Sequence, residues 1–133
     1  MNSLFTCMME IYRKQKPSIL KEKSMKFSAR IIKMSQYLQR SHSPMPVNNQ
    51  LLRSGTSIYA NINEAEFAQS QADFVHKLSI ALKEANETKG WIQLVYSSDF
   101  IDKKSYESIL SDCSEIIAML VASINTTKKR YNL

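Results

Sequence analysis

This chain is poor in the residues that make tight turns. Its 133 residues include two glycines and three prolines. A sheet protein with many reverse turns needs more of both. Pro17, Pro44 and Pro46 all lie in the first 46 residues, so from Val47 onward nothing obligatorily breaks a helix. Cysteine is scarce too. Cys7 and Cys113 form no CxxC pair and no repeated spacing, which argues against a disulfide framework and makes a reducing cytoplasm the expected compartment. Long apolar runs are missing. The longest uncharged one after the start, Ile116 to Ile124, is nine residues, whereas a spanning helix needs about 20. The opening residues have no cation ahead of their short apolar run, which contains Thr6 and stops at Glu10, so no signal peptide and no membrane are expected. No Gly-rich phosphate loop and no Ser/His/Asp set is recognisable, and no cofactor is expected.

The hydrophobic fraction of 44% is ordinary for a globular domain, and the length suits one core. Residues 1–17 read as an extension and residues 18–133 as the domain. Leu20, Phe27, Ile31, Met34 and Leu38 repeat at helical spacing and predict a first helix from about Ser18 to Arg40. Val47, Leu51, Gly55, Ile58, Ile62 and Ala65 predict a second, ending near Ala68, with Ser43 as its cap and Pro44 in its first position. Ser70 to Asp73 resembles a capping box. The helix after it carries Phe74, Leu78, Ala81, Ala85, Thr88, Ile92 and Val95 to about Tyr96, with Gly90 as a weak point. Asp102 is expected to cap a fourth helix reaching Arg130, with Tyr106, Leu110, Cys113, Ile117, Leu120 and Ile124 inward. Ile109, Ile116 and Val121 widen that stripe beyond what a single bundle core needs and point to burial against another subunit. Short connections make neighbouring helices antiparallel. The expected fold is all-α, an up-down-up-down four-helix bundle.

The second and third helices set polar residues close to apolar faces. Arg53, Asn61, Glu64, Glu84 and Glu87 are expected to form a structural polar cluster, with Arg53 and Glu87 paired in the interior and Asn61 satisfying leftover groups. Paired carboxylates could also do acid–base work, but only with a raised pKa. Asp73 and His76 share a helical face, and His42 is the only other histidine. That is too few ligands for a bundle metal centre. Cys113 reads as a small core residue.

The run from Leu51 to Trp91 resembles a bacterial family encoded within intervening sequences of large-subunit ribosomal RNA genes. The residues that carry the likeness are Arg53-Ser54, Ser57-Ile58, Ala60-Asn61-Ile62 and Glu64, then Asp73-Phe74, Ile80-Ala81-Leu82 and Glu87. The resemblance spans about residues 18 to 125. It implies a four-helix bundle that assembles as a ring, with a pentamer as the expected homo-oligomer. It also implies kinship with the accessory protein of diversity-generating retroelements, which binds nucleic acid and works with a reverse transcriptase. The chain departs from the common pattern after Glu64. Ala65-Glu-Phe-Ala-Gln-Ser70 lacks the Gly- and Arg-bearing turn, which removes the basis for a nucleic-acid contact there. Gly90 stands where an aromatic is expected.

Charge supplies the last signal. Residues 1–40 carry +7 and residues 41–133 carry −1. Lys23, Lys26, Arg30, Lys33 and Arg40 gather on one flank of the first helix with Tyr37 among them. Such a stripe can follow a phosphate backbone while the ring stacks on a base. The expected function is therefore a non-catalytic oligomer that binds RNA or DNA through its first helix. The alternative is an oligomeric protein-interaction scaffold.

Overall fold

The computed structural model describes residues 18–133. Four helices hold all the regular structure among them: α1 (Ile19–Arg40), α2 (Met45–Ala65), α3 (Gln71–Ser97) and α4 (Lys103–Tyr131). The expected extension, residues 1–17 with Cys7, lies outside the described residues.

Three helices start on side-chain caps. Ser18 Oγ accepts from Lys21 N at 3.0 Å, Ser70 Oγ from Asp73 N at 3.0 Å, and Asp102 Oδ1 from Ser105 N at 2.7 Å. Each bond satisfies a donor that has no partner within the helix. The Ser70 box closes one residue further back than usual, because Asp73 Oδ2 accepts from Gln69 N at 3.2 Å. The Ser105 N–H also holds the Asp102 carboxyl below its ordinary range.

α2 departs from expectation. Ser43 does not cap it. The helix begins at Met45, Pro44 occupies the cap position, and the Ser43 hydroxyl is buried without a partner. The bonding runs the other way, with Asn48 Nδ2 donating to the Ser43 carbonyl at 3.0 Å. At its far end α2 stops at Ala65, and Phe67, 75% exposed, sits in the turn that follows.

The connections work without glycine. His42 (φ 61°) and Asp99 (φ 64°) take the left-handed conformation just past α1 and α3. Ser43 N then reaches Leu38 O, and Phe100 N reaches Val95 O. These bonds satisfy carbonyls that the helix end would otherwise orphan.

Contacts between helices fix their directions. Lys21 reaches Glu66 while Ser28 reaches Gly55, so residue numbers rise on α1 as they fall on α2. Ser54 meets Thr88 and Glu64 meets Lys77 in the same reversed order. On α3 and α4, Cys113 Sγ donates to Ala85 O, and Tyr96 stacks on Tyr106 with ring centroids 3.9 Å apart. Arg30 with Asp112, and Lys23 with Glu115, set α1 antiparallel to α4. Each helix packs on its chain neighbours and α1 closes the ring against α4, with that last seam the loosest. This is the up-down-up-down bundle.

The core follows the predicted stripes on α1 and α2, except that Met34 and Val47 are only half-buried at its edge. Phe27, Ile31, Leu38, Leu51 and Ile58 are fully buried. On α3 the innermost residue of the first turn is Val75, and Phe74 is half-buried. On α4 the stripe is rotated from expectation. Ile109, Cys113, Ile116, Leu120 and Ile124 face inward, while Tyr106, Leu110 and Ile117 are half-buried. Ile109 and Ile116 are therefore core residues, not surplus apolar surface, whereas Val121 is exposed as expected. α4 is long and apolar enough to cross a membrane by length and composition. Its inner stripe is nevertheless taken up by this core, and its Asp112 and Glu115 bind α1.

Candidate nucleic-acid interface

The cations of α1 lie where the core leaves them. With Phe27, Ile31 and Leu38 inward, Lys23 and Arg30 fall on the flank that meets α4. Lys23 pairs with Glu115, and Arg30 with Asp112, while Arg30 Nη2 also donates to Ser108 Oγ at 3.1 Å. These two cations are thus partly neutralised by the bundle itself. Lys26, Lys33 and Arg40 have no acidic partner within ion-pair distance among the described residues. All three are exposed. They stand seven residues apart, about 10.5 Å per step along a helix. Tyr37, 50% exposed, lies between Lys33 and Arg40.

The loose α1–α4 seam opens into two clefts. One of about 360 Å³ lies between the second half of α1 and the start of α4. Met34, Ile101 and Ile109 give it an apolar floor, and Arg30, Lys33, Tyr37, Asp102 and Ser105 form its rim. The other, about 240 Å³, lies lower on the seam beside Lys23, Lys26, Asp112 and Glu115. Sequence reasoning missed Asp112, Glu115 and Ser108. Their three- and four-residue spacing marks one face of α4, but only the pairing of first and last helices sets that face against the basic stripe. It also missed Lys128, Lys129 and Arg130, exposed in the last turn of α4, where positive charge suits the helix dipole.

The expected polar cluster splits in three. Arg53 binds Glu84 (Nη1 to Oε2, 3.1 Å) and Glu87, and its Nε donates to Gln50 Oε1 at 3.0 Å. Trp91 Nε1 donates to the same Glu87 oxygen at 3.2 Å. Burial works against the Arg53 charge, yet Glu84 first and then Glu87 more than offset it and raise the guanidinium pKa. Asn61 is elsewhere, its Nδ2 donating to Ser57 O at 2.8 Å within α2. Glu64 binds Lys77 at 2.9 Å. The expected interior location is also wrong. The Arg53 and Glu87 side chains are 44% and 39% exposed, and Glu84 is 18% exposed. The reason lies on α2, where Leu51, Ser54, Gly55 and Ile58 turn inward and leave Arg53 on the outer edge. Glu87→Ala is accordingly expected to cost no more than about 1 kcal/mol, as for an exposed pair. Urea unfolding should show this. A loss of about 3 kcal/mol would mean that the pair is buried after all.

Other polar groups serve packing. Thr88 and Ser54 hydroxyls meet at 2.9 Å in the interior, and Ser28 Oγ donates to the Gly55 carbonyl at 2.7 Å. Burial pushes the Cys113 thiol up to about 12, so it stays protonated near neutral pH and is a poor nucleophile. Among the described residues no three His, Cys, Asp or Glu side chains gather as a metal site. Asp73 is committed to the α3 cap, and His42 sits at the opposite end of the bundle from His76.

The fold matches a structure already solved. A solved structure from Bacteroides thetaiotaomicron VPI-5482, a protein with unknown function from the S23 ribosomal protein family, is 47% identical and superposes with a TM-score of 0.78. The match covers 80% of this chain and 98% of that one. No curated protein matches the chain. The model of the 23S rRNA-intervening sequence protein family matches residues 16–122, which span α1 to α3, the first two-thirds of α4 and the basic stripe. By that match the chain belongs to the family of 23S rRNA-intervening sequence proteins.

Proposed function

We propose that this chain is a non-catalytic, oligomeric bundle protein that binds nucleic acid, RNA or DNA, through the outer face of α1. The observation that carries the reading is the line of Lys26, Lys33 and Arg40, exposed and without acidic partners among the described residues, with Tyr37 beside them. Cations so spaced can neutralise phosphates and release counterions, the main source of sequence-independent affinity. Asp112 and Glu115 compete with phosphate for Arg30 and Lys23. Replacing them together by Asn and Gln frees two more cations. Affinity for a single-stranded oligonucleotide at 0.1 M salt should then rise by about an order of magnitude. Fluorescence anisotropy measures it, and an unchanged or lower affinity would remove α1 as the binding face.

Self-association is supported by a different surface from the one the sequence pointed to. Between Arg40 and Glu64 the only charged residue is Arg53, which is turned towards α3. Lys21 and Ser28 reach α2, and Met25 and Ile32, one turn beyond each, are exposed. Leu52 and Tyr59 on α2 are half-buried. Apart from the Lys21–Glu66 pair at one end, this outer face over two helices is uncharged and partly apolar, which suits a subunit contact, and in this reading the oligomer, a pentamer, forms through it. Sedimentation at micromolar concentration should give a multiple of 15.3 kDa. A monomer would contradict it.

A further inference from the structure

The larger α1–α4 cleft offers more than charge. Its floor is apolar, formed by Met34, Ile101 and Ile109, and its rim holds an aromatic ring and cations. At about 360 Å³ it is within the range that accepts a small organic group. A duplex keeps its bases stacked inside and offers this cleft only phosphates. A single strand can turn a base outward. We propose that the cleft receives one unpaired base of a bound single strand, stacked on Tyr37, with the adjoining phosphate held by Lys33.

The chemistry of the rim sets the orientation. Lys33 and Tyr37 are one helical turn apart on α1, so a phosphate and its base can reach both. Asp102 and Ser105 lie on the α4 side. The Asp102 carboxylate disfavours phosphate there and can accept from the amino or imino edge of a base. Phosphates therefore run along α1 through Lys26, Lys33 and Arg40, and the base points across the seam. Arg30 is tied to Asp112 and Ser108 and serves as a wall of the cleft.

This inference rests on the nucleic-acid reading above and is tested so that the two can fail separately. Anisotropy would compare a single strand, a duplex of equal phosphate number and a free mononucleotide, each with the full chain. The single strand should bind more tightly than the duplex, and the mononucleotide far more weakly than the strand. Tyr37→Ala should weaken single-strand binding by roughly 5- to 150-fold, the range for losing one base–aromatic stack. Duplex binding and the salt dependence should not move, and Tyr37→Phe should restore the parent value. Ser105→Phe narrows the mouth without removing a cation or the ring, and it should also abolish the preference for single strands. Circular dichroism checks that each variant is folded. Equal binding of strand and duplex, with Tyr37→Ala and Ser105→Phe silent, overturns the base cleft and leaves the phosphate-binding face standing. A mononucleotide that binds as tightly as the strand also overturns it, because the cleft would then act on its own. No binding by the parent chain at low salt overturns both readings.

Discussion

Gly55→Ala is expected to destabilise the bundle by about 1–3 kcal/mol, although alanine is the better helix former. A Cβ at Gly55 would lie 2.5 Å from Ile31 Cγ2, 2.9 Å from Cγ1 and 3.0 Å from Cβ. Ile31 is fully buried and branched at Cβ, so it cannot rotate away. α1 and α2 would have to separate, which would also strain the Ser28–Gly55 hydrogen bond. Gly90 is the internal control. Nothing lies within 4 Å of its added Cβ, and Gly90→Ala should gain about 1 kcal/mol from helix propensity alone. The same substitution at the chain's two glycines thus has opposite signs. Urea unfolding followed by circular dichroism at fixed protein concentration measures both. Ile31→Ala alone should cost about 2–5 kcal/mol as a cavity. Combined with Gly55→Ala it should cost clearly less than the sum, since the new methyl enters the space that Ile31 leaves. Additive losses, or a neutral Gly55→Ala, would show that the two helices do not meet as closely as described.

Replacing Lys26, Lys33 and Arg40 together by Gln should cut affinity for a single strand by on the order of 100-fold at 0.1 M salt. The estimate follows from a slope of about −0.7 per phosphate contact on single strands, or about 5-fold per contact between 1 M and 0.1 M. None of the three belongs to the core, so helix content and oligomer mass should persist. Preference among sequences should barely change, because phosphate contacts position a protein without reading bases. The matching replacement of Lys103, Lys104 and Lys128 on α4 serves as a charge-matched control and should have a much smaller effect. Equal losses from both triples would mean that net charge alone drives binding. The uncharged α1–α2 face would then favour a protein-interaction scaffold.

Much of this architecture was legible in the chain. The stripe Phe27, Ile31, Leu38 and the caps Ser18, Ser70 and Asp102 depend on local spacing and local hydrogen bonds. Local sequence therefore carries them. What was not legible depended on rotation about a helix axis or on distant partners. α4 offers two overlapping apolar stripes, and only packing against α1 and α3 chooses Ile109 and Ile116 over Leu110 and Ile117. Ser43 sits at a plausible cap position, but α2 starts one residue later, at Met45 after Pro44, and the Ser43 hydroxyl is buried while Asn48 binds its carbonyl. The sequence sets Arg53 beside apolar positions, but spacing alone does not say whether its side chain turns into the core or along its edge. Its place on α2 leaves it exposed enough for water to share the charge. In the basic stripe the residue types were visible, but the division into paired and unpaired cations was not. That division is made by Asp112 and Glu115, some 80 to 90 residues away along the chain.

In the proposed function α1 holds nucleic acid through phosphate contacts. The most direct measurement is the affinity of the unmodified chain for a fluorescent single-stranded oligonucleotide across a range of salt concentrations. Three contacts from Lys26, Lys33 and Arg40 predict measurable binding at low salt and a slope of about −2 in log affinity against log salt. No binding at the lowest salt, or an affinity that salt does not change, would contradict it.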